Sequence, residues 1–300
     1  MNHFILTRFN LHLHWNTDKV GHDVLTDEWL AERFRLFETY CLPSILAQKC
    51  KNFKWICLFD ENTPEVYKER IQGYQKLWDG FLPFYLNEEE TNNFPRYFQM
   101  KVFTLSNPND EEVLTTYLDN DDCLRDDFIL KIQEAPRRAK FNTMFLCRYG
   151  VQYYEDMNIA VEVSYRNNHY TTYYERLNPH LLTVWGFSHF HVFKRYDYLN
   201  TVIIQNKANP IWIEVIHNNN IDNDVKMTFN QKLITDHTYL RRFGIDKDLL
   251  PASEAKKVFR SKFALRFLRQ SWRRFIDKIL FNKNTIHENE NTTLSNVQTK

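Results

Sequence analysis

The sequence predicts an α/β fold in which helices cover both faces of a mostly parallel sheet, and two observations support this prediction. Over the first 140 residues, short apolar runs typical of strands alternate with longer segments of helical periodicity, a pattern that favours parallel strands joined by helices. Polar residues also follow directly after three of the apolar runs. Because ligands bind beyond the carboxyl ends of parallel strands, we expect a binding site along that edge.

The first half of the chain is predicted to contain four strands, at residues 4–9, 53–59, 81–86 and 113–118. The longest predicted helix covers 26–48, where Thr26 is a candidate N-cap and Pro43 should end the helix or begin a new one. Thr63-Pro64-Glu65 has the cap, proline and acid of a helix start. A helix or an irregular segment is predicted near 95–103, and a helix at 125–137.

The second half is predicted to form antiparallel strands. Residues 143–193 are rich in Tyr, Val, Thr and Phe and contain an Asn167-Asn168 turn candidate. Another strand is predicted at 211–216. Since no Pro/Gly/Ser linker interrupts this region, we expect one domain over 1–250, with its two halves meeting near residue 140.

The region 251–281 is predicted to form a basic amphipathic helix. Residues 254–281 carry nine basic and two acidic residues, with apolar side chains mostly on one helical face. Such a helix can pack on the domain, bind an anionic membrane surface or contact nucleic acid. We expect no nucleic acid, because nothing else in the chain has the pattern of a nucleic-acid module. The Asn- and Thr-rich residues 282–300 are predicted to be disordered.

Composition excludes several classes of protein. The 300 residues have a formal net charge of +1 and include only six glycines, no two of them closer than seven positions. Walker A loops and G-x-G-x-x-G fingerprints need closely spaced glycines and are therefore excluded. Five cysteines without C-x-x-C spacing, the lack of a secretory signal pattern and the lack of a long apolar run predict a cytoplasmic protein with reduced thiols.

Three carboxylates lie within four residues at the predicted end of the fourth strand, in Asp119-Asn120-Asp121-Asp122. Their mutual repulsion must be offset by a cation or by hydrogen bonds. Mg²⁺ and Mn²⁺ bind carboxylate oxygens and bridge to phosphates, so the segment is a candidate metal site. The alternative is a solvated turn, in which Asn and Asp are common.

Other candidate groups are less specific. His217 follows the last predicted strand and is either a metal ligand or a loop residue. Arg8, at the end of the first strand, can neutralise a phosphate or form a surface ion pair. Two H-x-H pairs, His12/His14 and His189/His191, lack further zinc ligands at suitable spacing. The aromatic residues are mainly core candidates, although some, Trp185 among them, can stack on sugar rings.

Four segments of the first half carry a resemblance to a known family. They are Thr7-Arg8-Phe9-Asn10, Arg33-x-x-Leu36-Phe37-Glu38-x-x-Cys41-Leu42-Pro43-Ser44, Phe53-x-Trp55-x-x-x-Phe59-Asp60 and Thr115-Thr116-x-Leu118-Asp119-Asn120-Asp121-Asp122. Together they resemble the putative rhamnosyltransferase family of bacterial glycosyltransferases, over roughly residues 3–220. The resemblance implies a GT-A-like, Rossmann-like fold with a nucleotide-sugar half at about 1–140 and a smaller antiparallel acceptor half at about 141–250.

The resemblance implies roles for the matching residues on the nucleotide side. Thr7, Arg8 and Phe9 would cup the nucleotide of the sugar donor. Asp60 would contact its base.

On the metal side, Asp119 and Asp121 match the D-x-D pair of the family. Asp119 would lie near the ribose or the metal, Asp121 would bind the metal, and His217 would be a third ligand. The cation would be Mn²⁺ or Mg²⁺, which stabilises the departing nucleoside diphosphate.

An inverting transferase also needs a carboxylate base on the face opposite the leaving group. Glu155-Asp156 is the nearest match in the second half, and we predict Asp156 as the base. Glu175, Asp197 and Glu214 are the alternatives.

The resemblance and the residues together predict a metal-dependent, inverting glycosyltransferase. It would move a sugar such as rhamnose from a nucleotide-sugar donor to a surface glycan or glycolipid acceptor, on the inner face of the membrane. The alternatives are a metal-dependent phosphohydrolase and a non-catalytic carbohydrate-binding protein.

Overall fold

The structure of the protein, a computed structural model, describes residues 1–13, 26–165, 168–187, 199–204, 206–217 and 232–261. Within these ranges the strands form a seven-stranded and a four-stranded sheet. The strands are β1 (Asn2–Arg8), β2 (Lys54–Asp60), β3 (Phe81–Leu86), β4 (Glu112–Tyr117), β5 (Cys123–Leu124), β6 (Thr143–Cys147), β7 (Tyr149–Tyr154), β8 (Ile159–Ser164), β9 (Thr171–Arg176), β10 (Asn200–Ile204) and β11 (Trp212–Ile216).

Helices connect the strands of the first half, as the alternating pattern predicts. They are α1 (Asp27–Leu36), α2 (Leu42–Leu46), α3 (Glu65–Leu77), α4 (Glu88–Asn92), α5 (Phe94–Leu105) and α6 (Phe128–Glu134). Short 3₁₀ turns cover Ala135–Arg138, Val184–Gly186 and Tyr239–Phe243, and residues 252–261 are helical.

The predicted helix over 26–48 is divided by a π-helical turn, Phe37–Cys41, between α1 and α2. Thr26 caps α1 as expected, because its hydroxyl accepts from the Trp29 N–H at 3.2 Å. Pro43 has no N–H to donate and lies in the first turn of α2, where a missing donor is tolerated. The α2 helix begins at Leu42, one residue before the proline, close to the predicted start of a new helix.

The large sheet is mostly parallel, in the order β10-β6-β9-β4-β1-β2-β3. β1 pairs in parallel with β2 and β4, β2 with β3, and β6 with β10, whereas β9 runs antiparallel between β4 and β6. The carboxyl ends of β1, β2 and β4 therefore meet at one edge. Asn120 Nδ2 donates to the Phe9 carbonyl (3.0 Å) and the Asp60 N–H to Asn10 Oδ1 (3.1 Å) across that edge.

The small sheet has the order β5-β11-β7-β8. β7 and β8 form an antiparallel hairpin, as the sequence of residues 143–193 predicts, while β7 and β11 pair in parallel. Strands β6, β9 and β10, which also belong to the second half, join the large sheet instead. The division of the chain into a nucleotide-sugar half and an acceptor half stays a prediction.

Apolar side chains cover both faces of the large sheet. Trp55 and Phe37 lie in the cluster on the α1 and α3 side, and Phe98 of α5 lies in the cluster on the other side. Most of the aromatic side chains of the described ranges are either buried in these clusters or packed against them, so these aromatic residues mainly build core.

The beginning of the basic C-terminal region packs on the small sheet. Ala255, in the helical residues 252–261, is buried in a cluster with Tyr154, Ile159 and Ile216. The rest of the predicted helix and the predicted tail lie outside the described residues, and contact with a membrane surface stays a prediction. No helix of the described ranges is long and apolar enough to cross a membrane.

Candidate active site

The segment 119–122 turns from β4 into β5 at the carboxyl edge of the large sheet. Asn120 anchors the turn to β1 through its bond to Phe9, and Cys41 Sγ lies 3.5 Å from the Asp119 carbonyl. The three carboxylates project into different surroundings, so each has its own partners.

Asp121 is buried against two basic side chains. Arg33 of α1 donates from Nη1 to Asp121 Oδ2 at 2.6 Å, and His217 Nε2 lies 3.0 Å from the same oxygen. Burial disfavours the charged carboxylate, but the Arg33 guanidinium and the His217 hydrogen bond hold the pKa of Asp121 well below its usual value. Asp121 is thus an ionised group that is already paired within the protein.

Asp122 and Asp119 meet a different histidine, His169. His169 Nε2 lies 2.8 Å from Asp122 Oδ2 and 3.9 Å from Asp119 Oδ2. The other oxygen of Asp122 accepts from the Val215 N–H at 3.1 Å, which ties the turn to β11. A nitrogen and two carboxylate oxygens therefore converge on one point between the two sheets.

Burial and charge set the protonation of this group. Burial, reinforced by the neighbouring carboxylates and opposed by His169, raises the pKa of Asp122 to about 7. Burial alone would lower the pKa of His169, but its bond to Asp122 and the charges of Asp122 and Asp119 raise that pKa to about 9. The imidazole is therefore held protonated by the carboxylates at neutral pH.

His169 is positioned by the segment that leads into β9. Asn168 Nδ2 donates to the Cys147 carbonyl at 2.9 Å, and Tyr170 stacks on Trp212 with ring centroids 4.0 Å apart. The Tyr170 hydroxyl donates to the Ile213 carbonyl at 3.1 Å. These contacts hold His169 between the end of β6 and the strand β11.

Asp119 is bordered by an aromatic and basic cluster on its other side. The Tyr117 hydroxyl donates to Asp119 Oδ1 at 2.9 Å, and the Tyr117 ring lies 4.4 Å from that of Trp185. The guanidinium of Arg8 lies over the rings of Trp185 (5.3 Å) and Phe94 (6.0 Å). A cation at the end of β1 is thus held beside the acidic turn.

Hydrogen bonds from three backbone N–H groups hold the turn that carries Trp185. Glu175 accepts from the N–H groups of Leu182 (2.9 Å) and Thr183 (2.8 Å), and the Val184 N–H donates to Thr115 Oγ1 (2.8 Å). Thr183 has φ +56°, which is unusual for a β-branched residue. Such strain persists only where the surroundings hold it, and it often occurs near functional sites.

The chemistry of the His169 group fits a divalent cation. The ligand atoms of Asp119, Asp122 and His169 all lie within 4.8 Å of one another. Two carboxylates and a neutral imidazole are suitable ligands for Mn²⁺, and carboxylates suit Mg²⁺. A bound ion would take the place of the proton that His169 holds towards Asp122. Asp119 is partly exposed, so the group can be reached from solvent.

The predicted nucleotide-side residues lie at the expected edge, with different exposures. Arg8 is half-buried, whereas Thr7 and Phe9 are buried. The Thr7 hydroxyl donates to the Leu118 carbonyl (2.8 Å) and accepts from Trp55 Nε1 (2.9 Å). Thr7 therefore links β1 to β2 and to the end of β4 within the core. The carboxylate of Asp60, at the end of β2, accepts from the Asn62 N–H at 2.7 Å.

Asp156 lies exposed in the turn between β7 and β8. The preceding Glu155 donates its N–H to the Ile216 carbonyl at 3.0 Å, which places this turn beside the end of β11 and His217. Glu155 itself is paired with Arg35 and accepts from the Tyr40 hydroxyl, all at 2.7 Å. Among the residues that the structure describes, no such partner holds the carboxylate of Asp156.

The alternative bases have distinct positions. Glu175 pairs with Val113 at the beginning of β4, six residues before Asp119, or about 20 Å along a strand. Glu214 is buried in β11, where its Oε2 accepts from Gln152 Nε2 (2.8 Å) and the Tyr165 hydroxyl (3.2 Å). Asp197 lies outside the described residues.

Two residues of the site, His169 and Arg33, had no predicted role. Arg33 occurs in a segment of the family resemblance, but His169 lies next to a turn candidate and has no motif around it. Of the H-x-H pairs, His12 is exposed, while His14, His189 and His191 lie outside the described residues.

Comparisons with known proteins agree with the resemblance. A family model described as "Putative rhamnosyl transferase" matches residues 6–228. No curated protein matches the chain.

Among solved structures, the chain is similar to S. aureus TarS 1–349, with 12% identity, a TM-score of 0.41 and coverage of 72% of this chain and 60% of that one. The same TarS fragment in complex with UDP gives 10% identity, a TM-score of 0.41 and coverage of 72% and 61%. Mouse xyloside xylosyltransferase 1, apo form, gives 10% identity, a TM-score of 0.31 and coverage of 49% and 53%. The chain thus spans less than two thirds of the length of each of these structures.

Proposed function

Because the chain belongs to the family described as "Putative rhamnosyl transferase", a family of glycosyltransferases, we propose that it transfers a sugar from a nucleotide-sugar donor to a glycan or glycolipid acceptor. Rhamnose is the first sugar to test, given the name of the family. The observation that carries the proposal is the group Asp119, Asp122 and His169 at the carboxyl edge of a mostly parallel sheet.

The cation that we propose is Mn²⁺ or Mg²⁺, held by Asp119, Asp122 and His169. When bound, it would stabilise the negative charge of the departing nucleoside diphosphate. We favour this set over Asp119, Asp121 and His217, because its three ligand atoms lie within 4.8 Å of one another and because a permanent cation, Arg33, already occupies Asp121 Oδ2.

The chain's own residues would bind and orient the donor. The Arg8 guanidinium, over the rings of Trp185 and Phe94, would neutralise part of the diphosphate charge. Asp60, at the end of the neighbouring strand β2, would contact the base. The buried side chains of Thr7 and Phe9 would support the nucleotide-binding edge of the sheet from the core. The glycine-poor sequence would thus hold a diphosphate with cations rather than with a glycine-rich loop.

We propose Asp156 as the base that takes the proton from the acceptor hydroxyl. Attack from the face opposite the leaving group would invert the configuration of the sugar. Glu155 is paired with Arg35 and Tyr40, and it would therefore hold the turn rather than accept a proton.

The proposal predicts that the full chain binds and slowly hydrolyses at least one of a set of UDP-, GDP- and dTDP-sugars in the presence of Mn²⁺. D122N and H169Q should weaken Mn²⁺ binding by at least about tenfold, because each removes a ligand atom from the group. Calorimetry with Mn²⁺ and a thermal-shift screen with the donors measure both effects. E111Q is the matched control, since the Glu111 side chain is 80% exposed and Glu111 lies just before β4, at the end of that strand away from the site.

Two results would contradict the proposal. Turnover of simple phosphate esters without use of any nucleotide-sugar would favour a phosphohydrolase, in which two ions lie about 4 Å apart. Glycan binding that needs neither nucleotide nor metal would favour a carbohydrate-binding protein.

A further inference from the structure

One carboxylate oxygen of the acidic turn meets two basic groups at once. Asp121 Oδ2 accepts from Arg33 Nη1 at 2.6 Å and lies 3.0 Å from His217 Nε2. The side chains of Arg33 and Asp121 are only 9% and 10% exposed. The same Arg33 nitrogen also lies 3.4 Å from Asn120 Oδ1. A permanent cation of the protein thus occupies the place where the D-x-D pattern predicts a metal ion.

The position of Arg33 is supported from several sides. Its guanidinium lies 5.2 Å from the ring of Trp29, one turn earlier in α1. Two residues later, Arg35 binds both oxygens of Glu155 at 2.7 Å, which fastens the same helix to the β7–β8 turn. Arginine keeps its charge in buried sites, and its planar group suits carboxylate partners. The helix α1 therefore presents a fixed positive charge to the buried carboxylate.

The three carboxylates are neutralised in two separate groups. Asp121 belongs to the group with Arg33 and His217, and Asp122 and Asp119 belong to the group with His169. Removing one partner of a buried ion pair leaves the other charge without compensation, which is strongly unfavourable. A metal ion at Asp121 Oδ2 would have to displace Arg33, whose charge is permanent. An ion at Asp119 and Asp122 would replace only the proton that His169 holds towards Asp122.

We propose that Arg33 is a positioning residue, the built-in counter-cation of Asp121, and that the divalent cation binds only at Asp119, Asp122 and His169. This inference rests on the metal-dependent function proposed above. It implies that the second Asp of the D-x-D pattern orients the turn through Arg33 instead of binding the metal. It also implies that loss of the Arg33 charge turns Asp121 and His217 into a second cation site.

Mn²⁺ binding to the full chain without nucleotide tests the inference, measured by electron paramagnetic resonance and by thermal unfolding. The variants are D121N, D122N, R33K, R33Q and the double variant R33Q/D121N. We expect one Mn²⁺ in the wild type, nearly unchanged affinity in D121N and at least about tenfold weaker binding in D122N. R33K, which keeps a positive charge, should behave as the wild type does.

The increase in unfolding temperature that Mn²⁺ causes in R33Q separates the proposed role of Arg33 from a purely structural one. R33Q should unfold at a lower temperature without metal, because Asp121 is left unpaired, and Mn²⁺ should raise that temperature more than it does in the wild type. The additional increase should disappear in R33Q/D121N, since the second site needs Asp121.

The opposite pattern would overturn the inference. If D121N loses Mn²⁺ as severely as D122N does, the metal displaces Arg33 in the wild type. Should R33Q fail to fold, the comparison of D121N, D122N and R33K still decides between these results. The Mn²⁺ measurements do not depend on a sugar donor, so a lack of turnover with every nucleotide-sugar would contradict the proposed function alone.

Discussion

The three neighbouring carboxylates in the turn 119–122 have different sets of partners. The Tyr117 hydroxyl donates to Asp119, Arg33 pairs with Asp121, and His169 binds Asp122. Successive side chains of a turn point in different directions, so each one contacts another part of the molecule. This separation allows an acidic segment to fold without a large repulsion, and it leaves one of the groups suited to a metal ion.

His3 provides a separate test at the residue scale, because it is a buried histidine away from the site. It is 2% exposed, with Nε2 2.9 Å from Thr116 Oγ1, and burial lowers its pKa to about 3. Between pH 3 and 6.5 the unfolded chain binds a proton that the folded chain does not bind. The free energy of unfolding should therefore fall as the pH falls, by about 1.4 kcal/mol per pH unit in that interval.

Urea unfolding of the wild type and of H3Q at pH 7 and pH 5 measures this effect. The wild type should lose about 2 kcal/mol more than H3Q does between these two pH values. An equal loss in both proteins would show that His3 does not titrate in this way.

At the scale of elements, the strand β7 depends on a glycine that packs against a tryptophan. A Cβ atom at Gly150 would lie 2.1 Å from the ring of Trp212 in the neighbouring strand β11. Trp212 is fully buried, stacks on Tyr170 and donates from Nε1 to the Cys147 carbonyl at 2.7 Å. The ring therefore has no room to move away, and the pairing of β7 with β11 requires glycine here.

We expect G150A to lower the free energy of unfolding by about 3 kcal/mol or more, since overpacking a core without free space is costly. G73A is the matched control, because a Cβ at Gly73 in α3 would meet nothing within 4 Å. Alanine is the better helix former, so G73A should raise the free energy of unfolding by roughly 0.5–1 kcal/mol. Chemical denaturation measures both, and equal effects of the two substitutions would contradict the packing argument.

At the scale of the whole molecule, the candidate site lies where the two sheets meet. Asp119 and Asp122 come from the turn between the sheets, His169 precedes β9 of the large sheet, and His217 follows β11 of the small sheet. The β7–β8 turn with Asp156 reaches the same end of the small sheet. A base on the small sheet would thus lie across from a sugar donor bound on the large sheet.

This arrangement predicts that D156N lowers kcat by about 10²-fold or more, the usual contribution of a general base, without raising KM for the donor. D246N is the matched control, because the Asp246 side chain is fully exposed. Steady-state kinetics with the donor identified by the screen measure both variants. If E214Q instead abolishes turnover and D156N does not, the buried Glu214 is the base.

Much of the fold follows from local patterns. The four strands of the first half, the N-cap Thr26 and the helix break at Pro43 were predicted within a few residues, because periodicity, caps and proline act over short distances. Strands β5 and β10 had no predicted counterpart. β5 is only two residues long, Cys123–Leu124, and is defined by its pairing with β11 rather than by a local pattern.

Residue types and their spacing are enough to predict an alternating α/β first half, to exclude a glycine-rich phosphate loop and to find an acidic turn at the end of a strand. The partners of that turn follow from the tertiary fold instead. Arg33 lies 88 residues from Asp121 in the chain, and His169 lies 47 residues from Asp122. Contacts of that kind depend on which strands pair and how the helices pack on them, and a local pattern of residue types contains neither.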